Sequence, residues 1–192
     1  VQGSLVIDGR DHLLAPGLVN AHTHIAMTLF RSYADDMVLM DWLQDKIWPM
    51  VNHLTGNDVY WGSLLGIAEM IRTGTTAFAD MYFFMEATAR AVASSGIRAA
   101  LSRGLTGSSA ADGKARLDEN SALFDKWNGV ENDRIHVIYG PHAPYTCAPE
   151  YICSIVKDAA RKGAEIHMHL AETNGEGADG LKKYDNSPIA LM

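Results

Sequence analysis

An α/β fold built on a parallel sheet, part of a (β/α)8 TIM barrel with about five β/α units, is what this sequence predicts. Three observations carry the prediction. Short apolar runs starting near residues 18, 75, 97, 134 and 164 each lead into sequence of helical period, and alternating β and α units build a parallel sheet with helical crossovers. Polar residues gather where those runs end, at His22 and His24, Asp80, Arg103, His142 and His169. That is the end of the strands at which barrel enzymes carry their chemistry. No Gly-x-Gly-x-x-Gly follows the first run, which weakens the other architecture that fits, a doubly wound dinucleotide-binding sheet.

The chain opens on Leu5-Val6-Ile7, Asp8-Gly9 and a second apolar stretch at Leu13-Leu14. Asp-Gly between two such stretches signals a tight hairpin. The run Leu13–Val19 reads as a strand closed by Asn20-Ala21-His22-Thr23-His24. Residues 39–52 read as a helix with Trp42, Leu43, Ile47 and Trp48 in its pattern. A second helix is expected over 57–73, with Thr55 and Asp58 placed as a capping box and an apolar stripe of Tyr60, Leu64, Ile67, Ala68 and Ile71. Gly74 stops it.

Thr75–Met81 is then a strand, Met85–Ser95 a helix closed by Gly96, and Ile97–Ser102 a strand. Gly107–Gly113 reads as a loop before a helix over Ala115–Trp127. Ile135–Tyr139 reads as a strand, and Pro149 suits the first position of a helix ending near Gly163. Ala164–His169 reads as the fifth strand and Gly175–Tyr184 as a last helix.

The 192 residues are enough for one domain with a core, and 47% hydrophobic with 20% charged residues is ordinary globular composition. A net charge of −7 argues against nucleic acid or an anionic membrane as the partner, because phosphate binding needs clustered Lys and Arg. No apolar run reaches the roughly 20 residues that cross a bilayer. The cysteines, Cys147 and Cys153, make no disulfide framework, so a reducing, cytoplasmic setting is the expectation. A whole barrel has eight strands in about 250 residues, so the sequence reads as a fragment lacking part of its start and the last three strands. Open sheet edges invite pairing, so such a piece is expected to dimerise, to swap segments or to stay marginally stable, a homo-oligomer being one of these outcomes.

His22 and His24, two apart on a strand, share one face. Neutral imidazoles so placed can bind one metal ion together. A second half of that site is readable in Ile166-His167-Met168-His169-Leu170-Ala171-Glu172. A strand ending in His, with a Glu three residues on, suits metal-assisted hydrolysis, the Glu moving a proton to or from water. The pattern alone leaves His167 and His169 both open as the ligand; the His-x-x-Glu spacing favours His169. Asp80 reads as a carboxylate that orients a loop rather than as a catalyst.

The stretch Pro16-Gly17-Leu18-Val19-Asn20-Ala21-His22-Thr23-His24 resembles the first-strand signature of the amidohydrolase superfamily. Met27–Arg31, Asp41-Trp42-Leu43, Trp48-Pro49, Gly74–Tyr82, Ser102-Arg103-Gly104, Gly140–Tyr145 and His169–Thr173 are similar, more narrowly, to methylthioadenosine/S-adenosylhomocysteine deaminases and triazine hydrolases. The resemblance implies a metal-dependent barrel beside a small β-sandwich, of which residues 1–15 would be a remnant hairpin and 16–192 the N-terminal part of the barrel. It implies His22, His24 and His169 as metal ligands, with Zn²⁺ bound and Fe²⁺ as the alternative. It implies Glu172 as the proton-shuttling acid/base, and Arg103, Arg116 and His142 as contacts to a small heterocyclic substrate. The implied reaction is attack of metal-bound hydroxide on a ring carbon of a purine nucleoside or similar heterocycle, with loss of ammonia. Triazine chemistry with another leaving group, or a fragment without catalysis, are the alternatives.

Two departures stand out. The resemblance implies a metal-ligating Asp from an eighth strand and a His from a sixth, and neither strand is in the sequence. It also implies a Glu two residues after the Pro of Trp-Pro, placed to bind ribose hydroxyls. Val51 occupies that position.

Overall fold

The structure, a computed structural model, describes Leu5 and residues 7–192. Strands β1 (Leu18–Thr23), β2 (Thr75–Tyr82), β3 (Arg98–Leu105) and β4 (Ile135–Val137) lie side by side in chain order, all parallel, and β5 (Gly140–Pro141) continues beside the far end of β3. A doubly wound sheet reverses its strand order at a switch point; this one does not, which is barrel order. The segment after β5 keeps the progression: Tyr139 N–H donates to Glu165 O (2.8 Å) and His167 N–H to Tyr139 O (3.0 Å).

The connections are helical. A 3₁₀ helix, Ile25–Phe30, follows β1. Then come α1 (Leu39–Asp41), a π-helical stretch Trp42–Ile47, α2 (Trp48–Val51) and α3 (Gly56–Arg72). Helix α4 (Met85–Ser95) joins β2 to β3, and α5 (Ala110–Trp127) with a left-handed turn, α6 (Val130–Asp133, φ +57 at Glu131 and Asn132), joins β3 to β4. Helices α7 (Pro149–Lys162), α8 (Asn174–Tyr184) and α9 (Pro188–Leu191) complete the chain. None of the described helices is long and apolar enough to cross a membrane.

Local chemistry sets most of these boundaries as expected. Thr55 and Asp58 form the reciprocal capping box of α3. Gly96 (φ +82) and Gly163 (φ +65) close α4 and α7 in the left-handed region that glycine enters without a Cβ penalty. Pro49 has no N–H for the Asp45 carbonyl and crowds it. The helix expected over 39–52 accordingly widens into its π-helical stretch just before.

Five expectations change. Helix α5 begins at Ala110, not Ala115: Ser109 is an N-cap whose side chain accepts from Asp112 N–H, and Gly113 is tolerated inside the first turns. The buried side of α3 is Val59, Gly62, Ser63, Gly66, Ile67 and Met70, whereas Ile71 is exposed. The two glycines decide this rotation. A Cβ on Gly62 would lie 2.8 Å from Ala26 O, and one on Gly66 2.6 Å from Ile25 Cγ1, so this face alone admits the 3₁₀ helix.

The strand expected over Ile135–Tyr139 is split. The side chain of Asn120, fully buried in α5, inserts between β3 and β4. Its Oδ1 accepts from Arg103 N–H (2.8 Å) and its Nδ2 donates to Ile138 O (3.2 Å). Those are the two groups that would otherwise bond in the ladder. Ala164–His169 makes one parallel bridge, Tyr139 to Ile166, rather than a strand. It has a strand neighbour on one side only among the described residues. Lastly, Leu13–Gly17 is not strand, and β1 begins at Leu18. Of the hairpin expected at 1–15, residues 1–4 and Val6 lie outside the described residues. In the rest, His12 N–H donates to Gly9 O (3.1 Å), closing a turn.

The main core lies between the sheet and α3 and α4, with Ile67, Met85, Val92, Leu101 and Ile135 among its buried members. A second cluster of Leu105, Tyr139, Tyr151 and Ile155 seats α7. The carboxyl ends of the strands are thereby fixed from beneath.

Candidate metal centre and active-site cavity

β1 carries a bulge across Ala21 and His22: Asn20 is level with Phe78 and Thr23 with Asp80, so the chain spends one more residue on β1 than on β2. Bulges of this kind re-aim side chains. His22 and His24 then present their rings together, centroids 5.3 Å apart. His169 comes to them from the segment after α7. His22 Nε2 lies 3.1 Å, and His24 Nε2 3.2 Å, from His169 Nε2.

The other ring nitrogens fix the tautomers. His24 Nδ1 is 2.6 Å from Met81 O, and His169 Nδ1 is 2.9 Å from His142 O. A carbonyl only accepts, so both Nδ1 atoms carry hydrogen, and in the neutral imidazole, the form that binds metal, each Nε2 then presents a lone pair. Two lone pairs 3.2 Å apart repel unless a cation lies between them. A tetrahedral Zn²⁺ with bonds of about 2.0–2.1 Å has ligand–ligand edges of about 3.3 Å. The donor set therefore fits a zinc-sized ion. His22, His24 and His169 are the one such group among the described residues.

Behind the histidines lies Asp80, buried on β2. Its Oδ1 accepts from Thr23 Oγ1 (2.9 Å) and from Ile25 N–H (2.8 Å), so it grips the chain on both sides of His24. This is the orienting role expected of it. Its Oδ2 has no hydrogen-bond partner. Burial lifts its pKa to about 7, against the pull of those donors. A carboxyl whose folded pKa is raised binds protons that the unfolded chain releases. Its contribution to stability is thus lost as pH rises from about 4 to about 7.

His142 acts in the opposite sense. Burial, then the neighbouring His169 and His24, depress it to about 4, so it favours folding as pH rises above that. The difference between wild type and Asp80→Asn isolates the carboxyl. In metal-free protein, wild type is expected to lose stability relative to the variant between pH 4 and 7, read from paired melting curves. Curves that stay parallel over that range would refute a buried titrating Asp80.

A cavity of about 710 Å³ opens in front of the cluster. Trp42, Trp48, Phe83 and Phe84 give it aromatic walls, and Val51 lines it too. Of the seven residues expected at the site, six (His24, Arg103, Arg116, His142, His169 and Glu172) line this cavity. His22 faces a smaller one of about 260 Å³, shared with His167, His169 and Glu172. Of the two histidines the pattern left open, His169 is in the cluster and His167 is not.

Arg103 is clamped. Its Nε donates to Glu119 (2.9 Å) and its guanidinium lies 4.7 Å from the Phe83 ring centroid. Arg116 donates to Thr106 O (3.2 Å) and Asp112 O (3.0 Å). His142 Nδ1 is 2.8 Å from Thr146 Oγ1, whose hydroxyl donates onward to Ala143 O (3.2 Å). Glu172 accepts from the Tyr145 hydroxyl at 2.8 Å. Tyr145 and Glu176, which touch Glu172, are not among the residues expected at the site. The Thr173-x-x-Glu176 capping pattern was the signal available for the second.

Parallel strands in barrel order, with three histidines at their carboxyl ends whose geometry could hold a metal ion, define the class as a (β/α) barrel protein with a candidate metal site. Residues 13–189 match the profile of the Amidohydrolase family, and the chain belongs to that family. It is 50% identical over 191 residues to the 5-methylthioadenosine/S-adenosylhomocysteine deaminase of Moorella thermoacetica, covering 100% of this chain and 44% of that protein. It is 52% identical over 186 residues to the enzyme of that name from Pelotomaculum thermopropionicum, covering 97% of this chain and 43% of the relative. The chain thus spans less than half the length of these relatives. Among solved structures, an adenosine deaminase from Xanthomonas campestris with bound zinc superposes with a TM-score of 0.83 at 36% identity, over 91% of this chain and 40% of that one. An atrazine chlorohydrolase from Arthrobacter aurescens, complexed with zinc, gives 0.80 at 19% identity, over 92% and 45%, a likeness of fold.

Proposed function

We propose that the whole protein is a zinc-dependent aminohydrolase that removes ammonia from a purine nucleoside or a similar aromatic heterocycle. One observation carries this: the Nε2 atoms of His22, His24 and His169 converge beside the cavity that His24, His169, Glu172 and four aromatic rings line. The deaminase names of relatives about half identical in sequence, and the zinc in the Xanthomonas structure, support the reading.

His22, His24 and His169 would hold the zinc, which when bound lowers the pKa of water to about 7. The chain's own residues do the rest. Glu172 accepts a proton at the cavity mouth and returns it to a ring nitrogen, general acid–base work that contributes about 10²–10⁴-fold. Trp42, Trp48 and Phe83 take the faces of a flat ring and keep bulk water from it. Arg103, Arg116 and His142 address the polar atoms of the substrate. In the same reading residues 1–15 belong to a small sheet beside the barrel.

Val51 favours a second reading, a hydrolase of triazine type, since a valine lining the cavity cannot accept a hydrogen bond from a ribose hydroxyl. A substrate panel decides. Zinc-loaded protein is expected to release ammonia from adenosine, 5-methylthioadenosine or S-adenosylhomocysteine and to leave chlorinated and aminated triazines intact. Turnover confined to triazines would replace the first reading with the second. Turnover of neither would remove both.

A further inference from the structure

We propose that Glu176 and Tyr145 are positioning residues that together set Glu172 at the cavity, a proposal that rests on the acid/base reading of Glu172 above. Between His169 and α8 the chain makes an abrupt turn, with Ala171 at φ +56. That conformation costs a non-glycine residue about 1–2 kcal/mol and persists only where neighbours impose it. The carboxylate of Glu176 is the neighbour. Its Oε1 accepts from Ala171 N–H (3.1 Å) and its Oε2 from Glu172 N–H (2.8 Å). Two successive amides around a left-handed residue form a concave anion site, here filled by the protein's own side chain.

Helix capping does not account for this arrangement. In a capping box the third residue of the helix returns its side chain to the N–H of the N-cap residue. Glu176 is that third residue, and its own N–H does donate to Thr173 Oγ1 (3.1 Å). Its carboxylate nevertheless passes the cap and binds the two residues before it. It is also 7% exposed, so its charge is buried for this purpose. The side chain of Glu172 is held from the opposite direction. Tyr145, on the loop that carries His142, donates its hydroxyl to Glu172 Oε2 (2.8 Å). Oε1 has no hydrogen-bond partner among the described residues and is the oxygen left for proton transfer.

The test uses Glu176→Gln and Tyr145→Phe in the whole, zinc-loaded protein. Gln can accept one of the two amides but sets an NH₂ against the other. For Glu176→Gln, kcat is expected to fall about 10²-fold, the scale of a catalytic group displaced by about 1 Å. KM stays within threefold and zinc content is unchanged. The amides of Ala171 and Glu172 exchange at least tenfold faster by hydrogen exchange, while those of 164–169 do not change. For Tyr145→Phe, kcat falls about tenfold, as loss of one hydrogen bond to a carboxylate implies. In a Glu172→Gln background neither substitution lowers the rate further, which a merely structural role would not produce.

Wild-type amide protection in Glu176→Gln, or kcat within twofold of wild type with zinc bound, overturns the proposal. If Glu176→Gln does not fold, Tyr145→Phe decides by the same kinetic comparison. If the wild type turns over no purine nucleoside while amide protection is lost in the variant, the assigned reaction fails and the clamp on Glu172 stands.

Discussion

Glu172→Gln is expected to leave zinc bound at wild-type stoichiometry and to lower kcat by about 10²–10⁴-fold. The substitution is a narrow one. Gln keeps the length of the side chain and an oxygen that can still accept from Tyr145. Its backbone N–H can still donate to Glu176. What it loses is the ability to take up and return a proton. The three imidazoles are untouched, so the metal should remain. KM should change little, because a group that acts only on the proton in flight is felt in the transition state rather than in binding. Zinc analysis and steady-state kinetics on one preparation check both halves. A variant with wild-type kcat would show that another group moves the proton. A variant that loses zinc would mean that Glu172 belongs with the ligands.

Much of this site was readable because it is written in local patterns. His-x-His near a strand end marked the pair, although a bulge in β1 and the end of the strand at Thr23, rather than an unbroken pleat, bring the two rings together. His169 and Glu172 are three apart just past the single bridge at Ile166, close enough in sequence to read as one pattern. Proline, glycine and Thr/Asp caps act over one helical turn, and the bounds of α3, α4 and α7 followed from them. The misplaced features depend on partners distant in sequence. The buried face of α3 was set by what Gly62 and Gly66 must admit, the 3₁₀ helix more than thirty residues earlier. The fourth strand was broken by Asn120, whose amide replaces a ladder bond that periodicity assumes intact. Tyr145 meets Glu172 across 27 residues of chain. The start of α5 is a different failure. Its cap at Ser109 and Asp112 is local, but it lies inside a glycine-containing stretch that reads as a loop.

The second large effect concerns the metal and separates stability from function. His169→Ala should abolish the zinc-dependent gain in melting temperature while changing the metal-free protein little. A ligand at 1,000 times its Kd stabilises a folded protein by about 4 kcal/mol. The wild type should therefore melt higher in zinc than in chelator. His169 is the nitrogen shared by both close approaches in the cluster, 3.1 Å to His22 and 3.2 Å to His24. Without it, two histidines remain and no third donor among the described residues replaces it. In chelator the balance is different. The variant loses the bond from His169 Nδ1 to His142 O, worth about 1 kcal/mol, and some packing. It gains relief from Nε2 lone pairs that face one another with no cation between them. These terms oppose, so the metal-free proteins should melt within a few degrees of each other. Melting curves of both proteins, with and without zinc, make the four-way comparison. A variant that still gains stability from zinc would move the metal away from His169, and the site would have to be rebuilt around another ligand.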